Sequence, residues 1–207
     1  MRIWNLSTGQ RLQTWSVTRP VKSVAIDDRS VIAGCLAGPD GGFVYIWDLE
    51  SRSLRHRVCT GMTAANQVHI WHGCFAVVGT RDSIAIYDIF SGAQTGKHHA
   101  VVYTPGSLQV SSTGMLFAME KSGSFVRVSI DPITGGISKM SSFVAKDVHV
   151  VGCIVLKDNI AVIGTDQSDI RVYNFASGCT TSIQHGMSLC VYATCIRVCE
   201  SIVTKCD

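Results

Sequence analysis

Val44-Tyr-Ile-Trp-Asp48 is the stretch that decides the fold, because variants of it recur along the chain. The other copies are Arg2-Ile-Trp-Asn5, Ile84-Ala-Ile-Tyr-Asp88, Ile170-Arg-Val-Tyr-Asn174 and a degenerate copy without the aromatic residue, Phe125-Val-Arg-Val-Ser129. If Trp4, Trp47, Tyr87, Ser129 and Tyr173 are equivalent, the steps between copies are 43, 40, 42 and 44 residues. A nearly constant period of this size, built on strands, predicts a propeller-like array in which neighbouring units bury each other's faces.

Each complete unit reads as four strands separated by turn residues. Around Trp47 we expect strands at Val21–Ile26, Ser30–Gly34, Phe43–Leu49 and Ser53–Val58. The remaining predicted strands are Val68–Trp71, Cys74–Gly79, Ser83–Ile89, Ala93–His98, Ser107–Val110, Met115–Met119, Ser124–Ile130, Gly136–Ser141, Val148–Leu156, Asn159–Gly164, Asp169–Phe175 and Cys179–Ile183. The third strand of each unit is more apolar on both faces than the fourth, which favours a central strand beside a charged, exposed edge.

These repeats resemble those of the WD-repeat β-propeller family, over nearly the whole chain. The resemblance lies in a strand, an aromatic-acid pair and a Ser/Thr turn, as in Tyr45-Ile-Trp-Asp48 and in Ile86-Tyr-Asp-Ile-Phe-Ser-Gly92. It implies a ring of four-stranded blades, with each aromatic packed between blades and each acid or amide binding backbone donors of the next turn. The structural repeat positions are then Trp4, Trp47, Asp48, Tyr87, Asp88, Tyr173 and Asn174. The family's Gly-His pair is not seen in units two to five, while Asp40, Asp82 and Asp207 lie near its expected turn aspartate.

The expected fold is an all-β WD-repeat propeller with four complete four-stranded blades and a half-blade at each end, in a single domain spanning 1–207. The residues around Trp4 supply only third and fourth strands, whereas Ser188–Val198 and Ser201–Cys206 read as a first and a second strand. The two halves either join into one blade of a five-bladed ring, or the chain is an incomplete piece of a larger propeller. The larger blade number that is usual in the family favours the incomplete piece.

Composition limits the class of partner. The formal charge of +3 arises from 18 basic and 15 acidic residues without a polybasic run, which argues against nucleic-acid and membrane partners. Val172 to Ile196 contains no charged residue, yet its glycines and polar side chains indicate buried strands, not a membrane span. An odd count of nine cysteines, without a secretory signal, favours reduced thiols and a cytoplasmic or nuclear location.

The motifs give no support for catalysis. Gly34 to Gly42 is rich in glycine but lacks a Lys-Ser/Thr ending and leads into a strand, so it reads as a hairpin loop. The only dense Cys/His group, His185, Cys190, Cys195, Cys199 and Cys206, contains no Cys-x-x-Cys pair. No Gly-x-Ser-x-Gly elbow precedes a helix pattern. We therefore expect no catalytic residue, no metal and no cofactor.

The function that follows is a non-catalytic protein–protein interaction scaffold in an intracellular multiprotein complex. Its partners, whose identity the sequence leaves open, are expected on the loops that join strands two to three and four to one. The candidate contact residues are Arg19, Met62, Arg81, Tyr103, Lys121, Lys146 and Asp166. Met62 and Tyr103 are equally compatible with buried caps of the blade below. The alternatives are a substrate-recognition module of a ubiquitin ligase, an RNA-associated factor in ribosome assembly and, last, a propeller enzyme.

Overall fold

The computed structural model describes residues 1–99, 107–119, 124–144, 150–157, 159–165 and 169–184. Within these ranges every regular element is a β-strand, and no helix is long and apolar enough to cross a membrane. The strands are β1 (Arg2–Trp4), β2 (Arg11–Thr14), β3 (Val21–Ile26), β4 (Ser30–Cys35), β5 (Gly42–Asp48), β6 (Leu54–Gly61), β7 (Gln67–Trp71), β8 (Phe75–Gly79), β9 (Ile84–Asp88), β10 (Gln94–His98), β11 (Gln109–Val110), β12 (Met115–Met119), β13 (Ser124–Ile130), β14 (Ile137–Val144), β15 (Val150–Lys157), β16 (Ile160–Thr165), β17 (Asp169–Asn174) and β18 (Thr180–Gln184).

Consecutive strands form separate sheets in chain order. A two-stranded sheet, β1-β2, is followed by four four-stranded sheets: β3 to β6, β7 to β10, β11 to β14 and β15 to β18. Among the described residues, these sheets correspond in position to the four predicted complete units and the amino-terminal half unit. The predicted carboxy-terminal half unit, Ser188–Val198 and Ser201–Cys206, lies outside the described residues.

The chain divides into two compact units, Met1–Val102 with Ser129–Lys139, and Tyr103–Val128 with Met140–Asp207. In the first unit, β5 is buried on both of its faces. Phe43, Tyr45 and Trp47 point to one side, while Val44 and Ile46 point to the other. A strand covered on both faces carries a continuous apolar run, which explains why this segment is the clearest repeat in the sequence.

Two apolar clusters cover these two faces. On the Trp47 side, the Trp15 and Trp47 rings stack with centroids 5.0 Å apart, and Tyr45 stacks on Trp47 at 5.5 Å. On the other side, Ile32, Val44 and Ile46 pack against the β7–β10 sheet. The residues of that sheet in the shared cluster are Val68, Ala76, Val78, Ala85 and Tyr87. Trp47 and Tyr87 therefore each face the preceding sheet, as the resemblance implied.

The second unit has a smaller described core of the same kind. Phe125, Ala161 and Ile163 are buried, and Tyr173 packs against them with its ring centroid 6.2 Å from that of Phe125. Phe117 and Phe175 stack at 4.9 Å. Tyr173 thus packs on the sheet before its own, in agreement with its predicted role.

A shared turn joins the third and fourth strands. Asp48 Oδ1 accepts a hydrogen bond from Ser51 N at 2.7 Å, and Asp88 Oδ1 does so from Ser91 N at 2.7 Å. Asn174 Oδ1 accepts from Ser177 N at 3.2 Å. The acid or amide therefore binds the backbone donors of the turn, as predicted, which is the known preference of Asp and Asn side chains in turns.

The fourth repeat corrects one sequence assignment. Asp131 Oδ1 accepts from Thr134 N at 2.7 Å, so Asp131 takes the acid position of the turn. The residue before it, Ile130, is buried at the aromatic position, whereas Ser129 is half-buried. Equating Ser129 with the aromatic position was therefore wrong by one residue. The motif itself, Asp131-Pro-Ile-Thr-Gly135, matches the turn of the other repeats.

Trp4 departs from the expected packing. It is 50 % exposed, whereas Trp47 at the equivalent position is 2 % exposed. Trp47 lies between its own sheet and the β1-β2 pair, since Met1 and Ile3 pack against its cluster. In the described structure β1 and β2 form the first sheet of the array, so the face that carries Trp4 is left open.

Candidate protein-interaction surface

Two kinds of connection lie at the same end of each sheet: those between the second and third strands, and those between one unit and the next. They share this end because neighbouring strands run antiparallel. In the first unit these connections comprise residues 15–20, 36–41, 62–66 and 80–83, which we call the loop platform. It contains Arg19, Met62 and Arg81 of the predicted partner-binding residues. The four others, Tyr103, Lys121, Lys146 and Asp166, lie outside the described residues.

Asp40 connects two segments of the loop platform, residues 15–20 and 36–41. Its carboxylate accepts a hydrogen bond from Arg19 Nη2 at 3.1 Å and lies 3.5 Å from Arg57 Nη2. The Arg57 guanidinium also lies over the Phe43 ring, 3.7 Å from its centroid. The hydrogen bond from its own backbone amide, followed by that from Arg19, lowers the pKa of Asp40. Exposed ion pairs add little stability, but this one connects the loop of residues 15–20 to that of residues 36–41.

Asp82 connects the corresponding segments of the next sheet, residues 62–66 and 80–83. Asp82 Oδ1 accepts from Thr80 Oγ1 at 2.8 Å and from Thr63 Oγ1 at 3.2 Å. These hydrogen bonds, that from Thr80 first, lower the pKa of Asp82. In both sheets, therefore, an aspartate of the loop between the second and third strands binds a donor from the preceding inter-sheet connection. Asp40 and Asp82 are two of the three residues that the sequence places near the family's turn aspartate, and the third, Asp207, lies outside the described residues.

Three of the predicted side chains reach solvent at the loop platform, two fully and one in part. Met62 is 74 % exposed, which excludes its alternative interpretation as a buried cap. Arg81 is exposed beside Asp82, and Arg19 is partly exposed beside Asp40. The structure thus brings the described members of the predicted set to one end of adjoining sheets.

The opposite end of the first unit carries a cleft of about 480 Å³. It is lined by Asp27, Asp28, Arg29, His72, Gly73, Cys74 and Phe90. Burial, and then the neighbouring Asp88 carboxylate, raise the pKa of the Cys74 thiol. A thiol held protonated is a poor nucleophile and a poor metal ligand. Over the described residues, no group of three or more His, Cys, Asp or Glu side chains is arranged to hold a metal ion.

Sequence reasoning missed a set of hydrogen bonds that joins neighbouring sheets. Trp15 Nε1 donates to Arg52 O at 2.9 Å, His56 Nε2 lies 2.7 Å from Phe90 O, and Thr95 Oγ1 donates to Gly135 O at 3.3 Å. Each bond links a side chain in or just after one unit's fourth strand to a carbonyl in the next unit's last turn. The three side chains differ in type, so no repeated residue in the sequence marks this contact.

No model of a known protein family matches the sequence, and no match is found among the curated proteins. Among solved structures, the chain is similar to the computationally designed Ika8 protein, with a TM-score of 0.66, 19% identity and coverage of 86% of this chain and 53% of that chain. BamB from Moraxella catarrhalis follows, with a TM-score of 0.61, 14% identity and coverage of 84% and 56%. The Dos1 propeller has a TM-score of 0.60, 16% identity and coverage of 78% and 48%.

These likenesses, at low sequence identity, show the fold alone. The chain has a β-propeller fold built of four-stranded antiparallel sheets, and it spans about half the length of these three proteins. A propeller fold is compatible with many unrelated functions, so the function has to be argued from the surface.

Proposed function

We propose that this chain is a non-catalytic protein–protein interaction scaffold that binds its partners through the loop platform. The proposal rests on two hydrogen bonds, from Arg19 to Asp40 and from Thr63 to Asp82, which connect neighbouring loops. Loops that are already fixed lose little conformational entropy when a partner binds. Arg19, Met62 and Arg81 are then presented on a rigid base, and arginine is enriched among residues that dominate binding energy.

The repeats support a WD-type propeller as the finer family assignment. The turn after each third strand has Asp or Asn, then Ser or Thr three residues later, which is the pattern the resemblance was based on. The proposed location is the cytoplasm or the nucleus, on the strength of the cysteine content.

The test compares two double variants of the full chain by affinity purification and quantitative mass spectrometry. Met62→Asp with Arg81→Glu changes the loop platform. Ile133→Asp with Arg29→Glu makes the same chemical changes at exposed positions of the opposite end. We expect the platform variant to co-purify at least about tenfold less of each specific partner, because it lacks residues that contribute most of the binding energy. The control variant should retain them.

Equal partner sets for the wild type and the platform variant would overturn the proposal. The RNA alternative predicts a different result, namely binding to RNA that falls steeply as salt rises. A titration of the purified chain with single-stranded RNA at low and high salt separates the two functions.

A further inference from the structure

Basic side chains collect at the end of the β3–β6 and β7–β10 sheets that carries the loop platform. Lys22 lies near the start of β3, and Lys97 pairs with Ala85 near the start of β9. Arg57 of β6 reaches the platform, since its Nη2 lies 3.5 Å from the Asp40 carboxylate. Within residues 15–99, the basic groups at this end are Arg19, Lys22, Arg57, Arg81 and Lys97, and the acidic groups are Asp40 and Asp82.

The opposite end of the same two sheets has the reverse balance. Within residues 15–99, its acidic groups are Asp27, Asp28, Asp48, Glu50 and Asp88, and its basic groups are Arg29, Arg52 and Arg55. A partner with acidic groups is therefore attracted to the platform end and repelled from the other end.

Part of this positive charge is not neutralised within the described structure. Asp40 is shared by Arg19 and Arg57, and the hydrogen bonds to Asp82 come from hydroxyl groups. Three exposed bases of residues 15–99 form no ion pair with a described residue, namely Lys22, Arg81 and Lys97. They remain available to the acidic groups of a partner.

Two turns of the loop platform hold an apolar and a cationic side chain together. Residues 60–63 carry Met62, and residues 80–83 carry Arg81. Each turn is closed by a hydrogen bond from its first residue to the carbonyl oxygen of its last, at 2.9 Å and 2.8 Å. The residues that follow Met62 and Arg81 are joined by a side-chain hydrogen bond of 3.2 Å. The two exposed side chains are therefore presented at neighbouring positions.

Asp40 and Asp82 favour a protein segment over a nucleic acid at this surface. Both carboxylates lie among the basic groups, so an evenly charged phosphate backbone would meet repulsion at two fixed points. Trp15, the aromatic residue of the loop platform, is 6 % exposed and offers no ring for base stacking. The separate acidic side chains of a protein can avoid the two carboxylates.

We propose that the loop platform binds an acidic, apolar segment of a partner protein. An apolar side chain of the segment packs on Met62, and an Asp or Glu next to it binds the Arg81 guanidinium, which fits a carboxylate through two parallel hydrogen bonds. Lys22 and Lys97 attract the segment over a longer range and raise its rate of association. This inference rests on the proposed function, because it names the chemistry of the partner at the same surface.

The probe is a phage-displayed library of random peptides, selected on the immobilised full chain at low salt. The wild type should enrich peptides with Asp or Glu next to an apolar residue. Arg81→Glu should reverse the charge preference, so that Lys or Arg takes the place of the acidic residue. Arg29→Glu, the same change at the opposite end, should select the same peptides as the wild type.

The most enriched peptide, with a fluorescein label, is then titrated with the full chain and followed by fluorescence anisotropy. Arg81→Glu and Met62→Asp should each weaken binding by about tenfold or more, and Arg29→Glu by less than about twofold. Lys22→Glu with Lys97→Glu should weaken it by about threefold at low salt and leave it unchanged at about 1 M salt, where distant charges are screened. Urea unfolding of the variants checks that the fold is retained, as expected for exposed positions.

Enrichment of basic or uncharged peptides, or of no peptide, would overturn the inference. So would an Arg81→Glu selection that matches that of the wild type, or single-stranded RNA that displaces the labelled peptide at lower concentration than the unlabelled peptide does. The proposed function is judged separately by affinity purification. If Met62→Asp with Arg81→Glu loses its cellular partners while the selected peptides are basic or uncharged, the scaffold function stands and the acidic partner segment is wrong.

Discussion

The β3–β6 and β7–β10 sheets have Val and Ile at equivalent positions of their first strands, yet they differ in how fully their faces are covered. Val68 of the second sheet is buried, whereas the equivalent Val24 of the first is half exposed. The same contrast separates Trp47 from Trp4. Since the residue types are equal, the difference comes from the neighbouring sheet. Burial in this fold is a property of the stack, as expected for repeats that contact only their neighbours.

The largest effect is expected at the aromatic position. Trp47→Ala should lower the free energy of unfolding by about 3–5 kcal/mol, because a large stacked ring is removed from a closed interface. Trp4→Ala should cost less than about 1 kcal/mol, since half of its surface is already in water. Urea unfolding followed by circular dichroism measures both. Equal losses would show that Trp4 is covered in solution.

A smaller effect is expected in the turns that pack on a neighbouring sheet. Gly92 has φ of +71°, and a Cβ there would come 2.9 Å from the His56 ring. Gly178 has φ of +72°, but no atom lies within 4 Å of its added Cβ. Gly178→Ala should therefore cost about 1 kcal/mol through backbone strain alone, and Gly92→Ala about 2–3 kcal/mol. Thermal unfolding of the two variants compares them, and equal costs would contradict the packing of the Gly92 turn.

Val24 and Val68 occupy equivalent positions of their sheets, so their substitutions compare an exposed side chain with a buried one. Val68→Ala should cost about 2 kcal/mol, from two buried methyl groups and the cavity that they leave. Val24→Ala should change stability by no more than about 0.5 kcal/mol. Urea midpoints of the two variants provide the check, and equal losses would contradict the difference in burial between Val24 and Val68.

The third strands could be predicted from the sequence because burial on both faces requires a continuous run of apolar residues. The runs around Trp47 and Tyr87 are apolar at every position, since each strand is packed from two sides. The turn aspartates were equally readable, because the geometry of the turn restricts the residue type. The fourth repeat was misaligned at Ser129 because it lacks the aromatic residue that marks the other repeats, whereas its turn motif at Asp131 is retained.

The coverage of each face and the contacts between loops could not be predicted from the sequence. Val24 and Val68 have the same local pattern, and only the neighbouring sheet distinguishes them. Asp40 was noted for its position, but its partners Arg19 and Arg57 are 21 and 17 residues away in different segments. The side chains of Trp15, His56 and Thr95 make equivalent contacts with different chemistry, so they leave no repeated signal.

The smallest effect concerns pH. The hydrogen bond from Ser91 N, before other causes, lowers the pKa of Asp88. Its folded pKa lies below the unfolded value of about 3.9, so its contribution to stability is complete above that value and is lost as pH falls through the folded pKa. Asp88→Asn keeps the acceptor, as Asn174 shows, and should lose less stability between about pH 5 and pH 2.

The measurement is the urea midpoint of each protein across this pH range. Asp28→Asn, at an exposed turn position, is the matched control. A pH profile for Asp88→Asn that coincides with the wild-type profile would contradict the role of the Asp88 carboxylate.

Methyl NMR of the full chain tests the central contrast most directly. A soluble gadolinium chelate broadens the signals of methyl groups that solvent reaches, and Ile133 and Ile32 serve as exposed and buried references. We expect strong broadening for Val24 and Ile26, and little for Val68. Equal protection of Val24 and Val68 would contradict this expectation, because the face of β3 that carries Val24 would then already be covered.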